Sequence, residues 1–161
     1  AQTKGMLFLH SASLLYEGKA WLFSGSSGTG KSTHTNLWHT LWGTPVLNGD
    51  LNLLAIKDGK PMIYGTPWCG TSGISDSTSY SLGGVVLLKQ ASEERFEVLS
   101  PDEQIIGLLQ RIISSSDTCF SLCKNLEVIE EITKQIPVFR LHCTKEPQAA
   151  IYMKEQIDAL R

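Results

Sequence analysis

The residues with the clearest chemistry are Gly25, Ser26, Ser27, Gly28, Thr29, Gly30, Lys31 and Ser32. They fit, with nothing missing, the phosphate-cradling pattern of Gly, four residues, Gly, Lys and then Ser or Thr. Glycine lets a backbone turn where other residues cannot and come close to a ligand. Successive N–H groups then form a concave anion nest, and a helix starting there adds partial positive charge. In such a loop Lys31 reaches the β- and γ-phosphates, and the Ser32 hydroxyl is a ligand for Mg²⁺. Thr33 completes the expected nucleotide-binding set of residues 25–33. Binding of ATP or a related polyphosphate is the expectation.

A phosphate-bound Mg²⁺ also takes a carboxylate, commonly from the end of a neighbouring strand. Asp50 is the candidate, one helix and one short strand beyond Ser32. The plainer alternative is that it only shapes the turn Asn48-Gly49-Asp50. Trp68 and Cys69 stand among glycines and hydroxyls, either in a loop that closes over a ligand or in a structural turn with Trp68 filling the core. Cys69 has no evident partner for a thiolate. His34 and His39 are five residues apart, on different faces of one helix, which argues against a metal pair. No Asp-x-x-Gly or Asn-Lys-x-Asp motif occurs, so a signalling GTPase is disfavoured. Length, and the lack of a long acidic strand, disfavour a AAA-type or transport motor.

Strands and helices must position these groups. Residues 6–10 and 20–23 are apolar runs on either side of a turn at 16–19, and read as paired strands. Residues 31–42 read as a helix leaving the glycine-rich loop, stopped by Gly43 and Pro45. Strands are expected at 46–47 and 51–56, with a hairpin turn at Asp58-Gly59 and a further strand at 62–64. Residues 65–81 lack periodicity and read as a long loop. Strands follow at 85–89 and 96–99. Ser100, Pro101 and Glu103 form a helix start, and isoleucines and leucines at 105–113 continue an apolar face. A helix at 121–135, a strand at 138–141 and a helix at 144–160 close the chain. The pattern predicts one compact α/β domain over residues 1–161, strand-rich in its first half and helical in its second.

Composition narrows the partners. Fourteen basic against sixteen acidic side chains give a net charge of −2 in 161 residues. A chain that grips nucleic acid through phosphates usually carries a basic excess, so no nucleic-acid partner is expected. No apolar stretch approaches the ~20 residues of a membrane-spanning helix, and no membrane partner is expected either. Cys119 and Cys123 are one helical turn apart and read as small hydrophobes; Cys69 and Cys143 complete the four. No Cys-x-x-Cys pair or disulfide framework is evident. No secretory pattern opens the chain, and a cytoplasmic location is the default.

Leu9-His10-Ser11-Ala12-Ser13, the run from Gly18 to Gly25, the phosphate loop and Leu47-Asn48-Gly49-Asp50 together resemble the catalytic domain of the HPr kinase/phosphorylase group, which is related to phosphoenolpyruvate carboxykinases. The resemblance is strongest over residues 7–56 and extends to about residue 141. It implies a compact P-loop domain with a mixed sheet, and phosphoryl transfer using ATP and Mg²⁺. It places His10 beside the transferring phosphate and makes Asp50 the metal ligand, so that His10, Lys31 and Asp50 are the expected catalytic set. HPr kinases assemble into oligomers, which makes a homo-oligomer one implied state. In the family's acidic pair the first member, expected as general base, corresponds to Gly49, and the later signature segment is not recognisable; residues 64–73 stand near its place.

Two functions follow. One is a Mg²⁺-ATP-dependent kinase acting on a hydroxyl of a peptide, protein or small molecule. The other is a non-catalytic or regulatory ATP-binding module of the same fold, motivated by Gly49. Carboxykinase chemistry is a poor third, because the chain is short and has only Arg95, Arg111, Arg140 and Arg161 to bind a dicarboxylate. Of these, Arg140 at a strand end is the one of interest.

Overall fold

A computed structural model describes residues 3–25, 31–48, 51–57, 59–64, 79–113 and 119–159. Its first hairpin pairs β1 (Thr3–Tyr16) with β2 (Lys19–Ser24). Only Glu17 and Gly18 lie between Tyr16 and Lys19, with φ of 55° and 77°. Two positive φ values give the tight turn whose twist suits a hairpin. Helix α1 (Lys31–Trp42) follows, and then come β3 (Val46–Asn48), β4 (Leu51–Lys57) and β5 (Lys60–Tyr64). The second half contains β6 (Ser79–Gln90), β7 (Arg95–Val98), α2 (Pro101–Leu109), β8 (Ile112–Ile113), α3 (Cys119–Gln135), β9 (Val138–Cys143) and α4 (Pro147–Ala159). This is the mixed α/β architecture that the sequence predicts.

Two long strands are shared between two sets of partners. The first half of β1 pairs with β4 and β8, and its second half with β2 and β3, all antiparallel. Strand β6 begins antiparallel to β5, then runs parallel to β2 and β9. With β4 paired to β5, the ladder β1–β4–β5–β6–β2 closes back on β1. Strand β7 covers the outer edge of β9.

Alternation along the strands builds two cores. Ala20, Leu22, Val85, Leu87 and Val138 join one cluster with Leu108, Ile129 and Ile132 of α2 and α3. Trp21, Phe23, Val86, Leu88 and Leu141 join the other, with Trp38 of α1 and Ala149, Met153 and Ile157 of α4. Strands β2 and β6 are therefore covered on both faces, which is why they read as nearly continuous apolar runs.

The structure moves several boundaries. The apolar periodicity of 105–113 reads as one helix, but α2 ends at Leu109, and Ile112 and Ile113 pair with Leu9 and Phe8. Helical and strand burial look alike over two isoleucines, and here the open edge of β1 decides. Ser79, Tyr80 and Ser81, expected in the long loop, pair with β5 instead. The last helix starts at Pro147, not Thr144; Thr144 Oγ1 donates to Glu94 Oε1 at 2.6 Å and accepts from the Glu146 N–H at 3.2 Å. The start of α2 is as read: Glu103 N donates to Ser100 Oγ at 3.3 Å and Ser100 N to Glu103 Oε1 at 3.1 Å, a reciprocal capping box.

Candidate functional site

Strand β2 delivers the chain to Ser24 and Gly25, both buried, and α1 begins at Lys31. The order strand, glycine-rich loop, helix is the context a phosphate cradle requires. Ser26, Ser27, Gly28, Thr29 and Gly30 lie outside the described residues. The Lys31 ammonium donates to the Gly25 carbonyl at 3.2 Å, joining the first residue of α1 to the residue after β2. Ser32 and Thr33 are exposed on the first turn of α1. That turn is tied by Thr35, whose hydroxyl donates to the Ser32 carbonyl at 3.1 Å.

The floor of the site is the middle of β1. Ser11 pairs with Ser24, and the Ser24 hydroxyl donates to the His10 carbonyl at 2.6 Å. His10 pairs with Leu51, the first residue of β4, and its N–H donates to the Arg111 carbonyl at 2.9 Å. Four segments meet at His10: its own strand, the end of β2, the start of β4 and the turn after α2. Asp50 and Gly49 lie outside the described residues; Leu51, which follows Asp50, is the neighbour of His10. Trp68 and Cys69 also lie outside them.

Below this crossing is a polar network that sequence reading does not reveal. Asn52 is buried; its amide donates to the Ser11 carbonyl and hydroxyl, both at 2.9 Å, and its Oδ1 accepts from Ser13 Oγ at 2.7 Å. Buried amides without partners cost about 1–3 kcal/mol, so this satisfied set fixes the register of β1 against β4. An asparagine inside an apolar strand is the one available signal for it.

His34 is buried beneath the loop helix, its ring centroid 4.6 Å from that of Phe23. Trp38 Nε1 donates to His34 Nε2 at 3.1 Å, while Nδ1 is buried without a hydrogen-bond partner. Burial pulls its pKa from 6.5 down to about 4, so the ring is neutral near pH 7 and serves packing. His39 faces the other way, exposed, with Nδ1 3.1 Å from the Thr44 carbonyl. Burial pushes the Cys143 thiol up to about 11, which keeps it unreactive. Among the described residues no three of His, Cys, Asp and Glu converge on a metal site, and no helix is long and apolar enough to cross a membrane.

No protein-family model and no curated protein matches the chain. Among solved structures, it is similar to the Hpr(Ser) kinase/phosphatase from Coxiella burnetii, with a TM-score of 0.52 and 10% sequence identity. The superposition covers 96% of this chain and 99% of that one. At such identity the likeness is one of fold alone, a mixed α/β frame.

Proposed function

We propose that this chain is a Mg²⁺-ATP-dependent phosphotransferase acting on a hydroxyl group, built as one nucleotide-binding domain over residues 1–161. The carrying observation is the junction of β2 and α1, where the Lys31 ammonium sits 3.2 Å from the Gly25 carbonyl across a complete phosphate-loop sequence. A lysine held there is placed to turn onto a bound polyphosphate. The kinase-like frame supports the same reading.

In this reading the backbone amides of residues 25–30 and the start of α1 neutralise the phosphates, together with Lys31. The Ser32 hydroxyl, on the first turn of α1, fits the role of metal ligand, and Asp50 supplies the carboxylate; Thr33 lines the same turn. Bound Mg²⁺ supplies positive charge to the β- and γ-phosphate oxygens. His10 stands beside the transferring group. The acceptor oxygen forms the new bond to the γ-phosphorus, and the bond to the bridging oxygen breaks with its electron pair leaving on ADP. The hydroxyl proton passes to His10 or Asp50. Phosphoryl transfer depends mostly on position and charge, so glycine at 49 does not by itself forbid the reaction. That same glycine favours the second reading, a regulatory ATP-binding module. The acceptor is a peptide, protein or small molecule; a cytoplasmic, non-membrane setting without nucleic acid suits this chemistry, and self-association is compatible with it.

Calorimetric titration of ATP with and without Mg²⁺ tests the reading. Losing the Lys31 charge in Lys31→Ala removes a charge-assisted contact, weakening ATP about 10- to 100-fold. Asp50→Ala loses the metal dependence and keeps metal-free affinity. Wild-type protein that ignores ATP overturns the proposal. Tight Mg²⁺-ATP binding with no transfer of γ-phosphate to any acceptor in a screen selects the regulatory module.

A further inference from the structure

The carboxyl edge of the parallel strands holds a second feature. In the ladder, Ser24 at the end of β2 pairs with Leu87 of β6, and Leu87 pairs with Arg140 of β9. Strands lie ~4.8 Å apart, so Arg140 stands roughly 10 Å across the sheet from the last strand residue before the phosphate loop. Lys89 lies two residues beyond Leu87, toward the same edge and on the same face. Helix α2 is seated directly above: a Cβ on Gly107 would fall 2.4 Å from Leu87 Cδ1. That close approach brings Gln110 and Arg111 over the row. Leu87, Lys89, Gly107, Gln110, Arg111 and Arg140 line a cleft of about 320 Å³.

Three basic residues, Lys89, Arg111 and Arg140, line this cleft, in a chain whose net charge is −2. No acidic side chain lines it among the described residues. Arg140 Nη1 is 3.5 Å from Glu97 Oε2, but Glu97 is shared, its Oε1 lying 2.9 Å from His142 Nε2 and 3.9 Å from Arg95 Nη2. The carboxylate thus orients Arg140 without cancelling the cleft's charge. The Arg111 carbonyl, 2.9 Å from the His10 N–H, ties the cleft to the floor of the phosphate loop.

We infer that this cleft holds the phosphoryl acceptor, and that the acceptor is a small hydroxylated molecule bearing a phosphate or carboxylate group. Guanidinium forks match both groups in bidentate geometry. The volume falls at the small end of the ~300–1,000 Å³ range of small-molecule sites. Location follows the rule that ligands of α/β sheets bind outside the carboxyl ends of the strands. The inference rests on the phosphotransferase reading, since it names that reaction's substrate class.

The test is calorimetric titration of the full chain with glycerol 3-phosphate and, separately, with tartrate, each alone and with saturating Mg²⁺-ATP. Saturable binding is expected for at least one, and the tighter one identifies phosphate or carboxylate as the recognised group. Arg111→Gln and Lys89→Gln, checked for native melting, weaken it tenfold or more and leave ATP affinity unchanged. Lys31→Ala weakens ATP and keeps the anion. No saturable binding of either probe, binding indifferent to both cleft variants, or competition between probe and ATP overturns the inference. A wild-type chain that binds a probe but no ATP overturns the phosphotransferase reading, and with it the acceptor role, while leaving the anion cleft in place.

Discussion

His34 shows how a residue near the start of α1 acts through the fold alone. Its pKa lies near 4 in the folded chain, against 6.5 as the ordinary value. Between those limits the unfolded chain takes up a proton that the native one refuses, so stability rises with pH. The contribution is fully present above about 6.5 and is lost as pH falls toward about 4. A full shift of this size corresponds to on the order of 3 kcal/mol. Urea titrations at pH 7.5, 6 and 5 are expected to show that loss in the wild type and a flatter profile in His34→Gln, which keeps an acceptor for Trp38. Parallel profiles would refute the buried neutral ring. The strand ending at Ser24 and the helix starting at Lys31 are legible in sequence because an apolar run and helix stop signals are local features. His34 and Asn52 are not, since their environments come from Phe23 and from Ser11 and Ser13, residues whose proximity depends on strand pairing. Gly49, Asp50 and the Trp68-Cys69 segment fall outside the described residues, so their reading rests on sequence.

Elements differ in how much of their placement they encode. Helix α2 announces its start through Ser100 and Glu103, whose reciprocal bonds form as expected. Its end does not announce itself, because Ile112 and Ile113 keep the helical spacing while pairing as β8. Strand β6 carries a further constraint, invisible locally, at Gly83 and Gly84. Trp21 of β2 pairs with Gly84 and lies flat against it, so that an added Cβ would fall 2.4 Å from Trp21 Cζ3. The indole is buried and rigid, and cannot give way as a flexible chain end does. Gly84→Ala is therefore expected to destabilise by about 1–3 kcal/mol through overpacking. Because the cost arises from the ring, Trp21→Leu introduced into Gly84→Ala is expected to cost less than in the wild type. A double-mutant cycle by denaturant titration measures this coupling, and strict additivity would refute the contact as its cause.

For the whole molecule, the α/β class is legible from the alternation of apolar runs, but the closing of the ladder is not. Parallel pairing of β2 with β6 joins residues about sixty positions apart, and no local pattern names that partner. Its consequence is mechanical unity. Leu22 and Val85 face one core while Phe23 and Val86, their immediate neighbours, face the other. Neither core can open without disturbing strands that line both. Ile129→Ala in α3 and Met153→Ala in α4 truncate fully buried side chains on opposite faces, and each is expected to cost about 2–5 kcal/mol. Cooperative unfolding requires tryptophan fluorescence, which reports Trp21 and Trp38 of the second cluster among the chain's four indoles, to lose its signal together with far-ultraviolet dichroism in both variants. A Met153→Ala protein whose fluorescence melts well before its helices do would instead mark the α1–α4 face as a separate unit, carrying the helix that bears Lys31 with it.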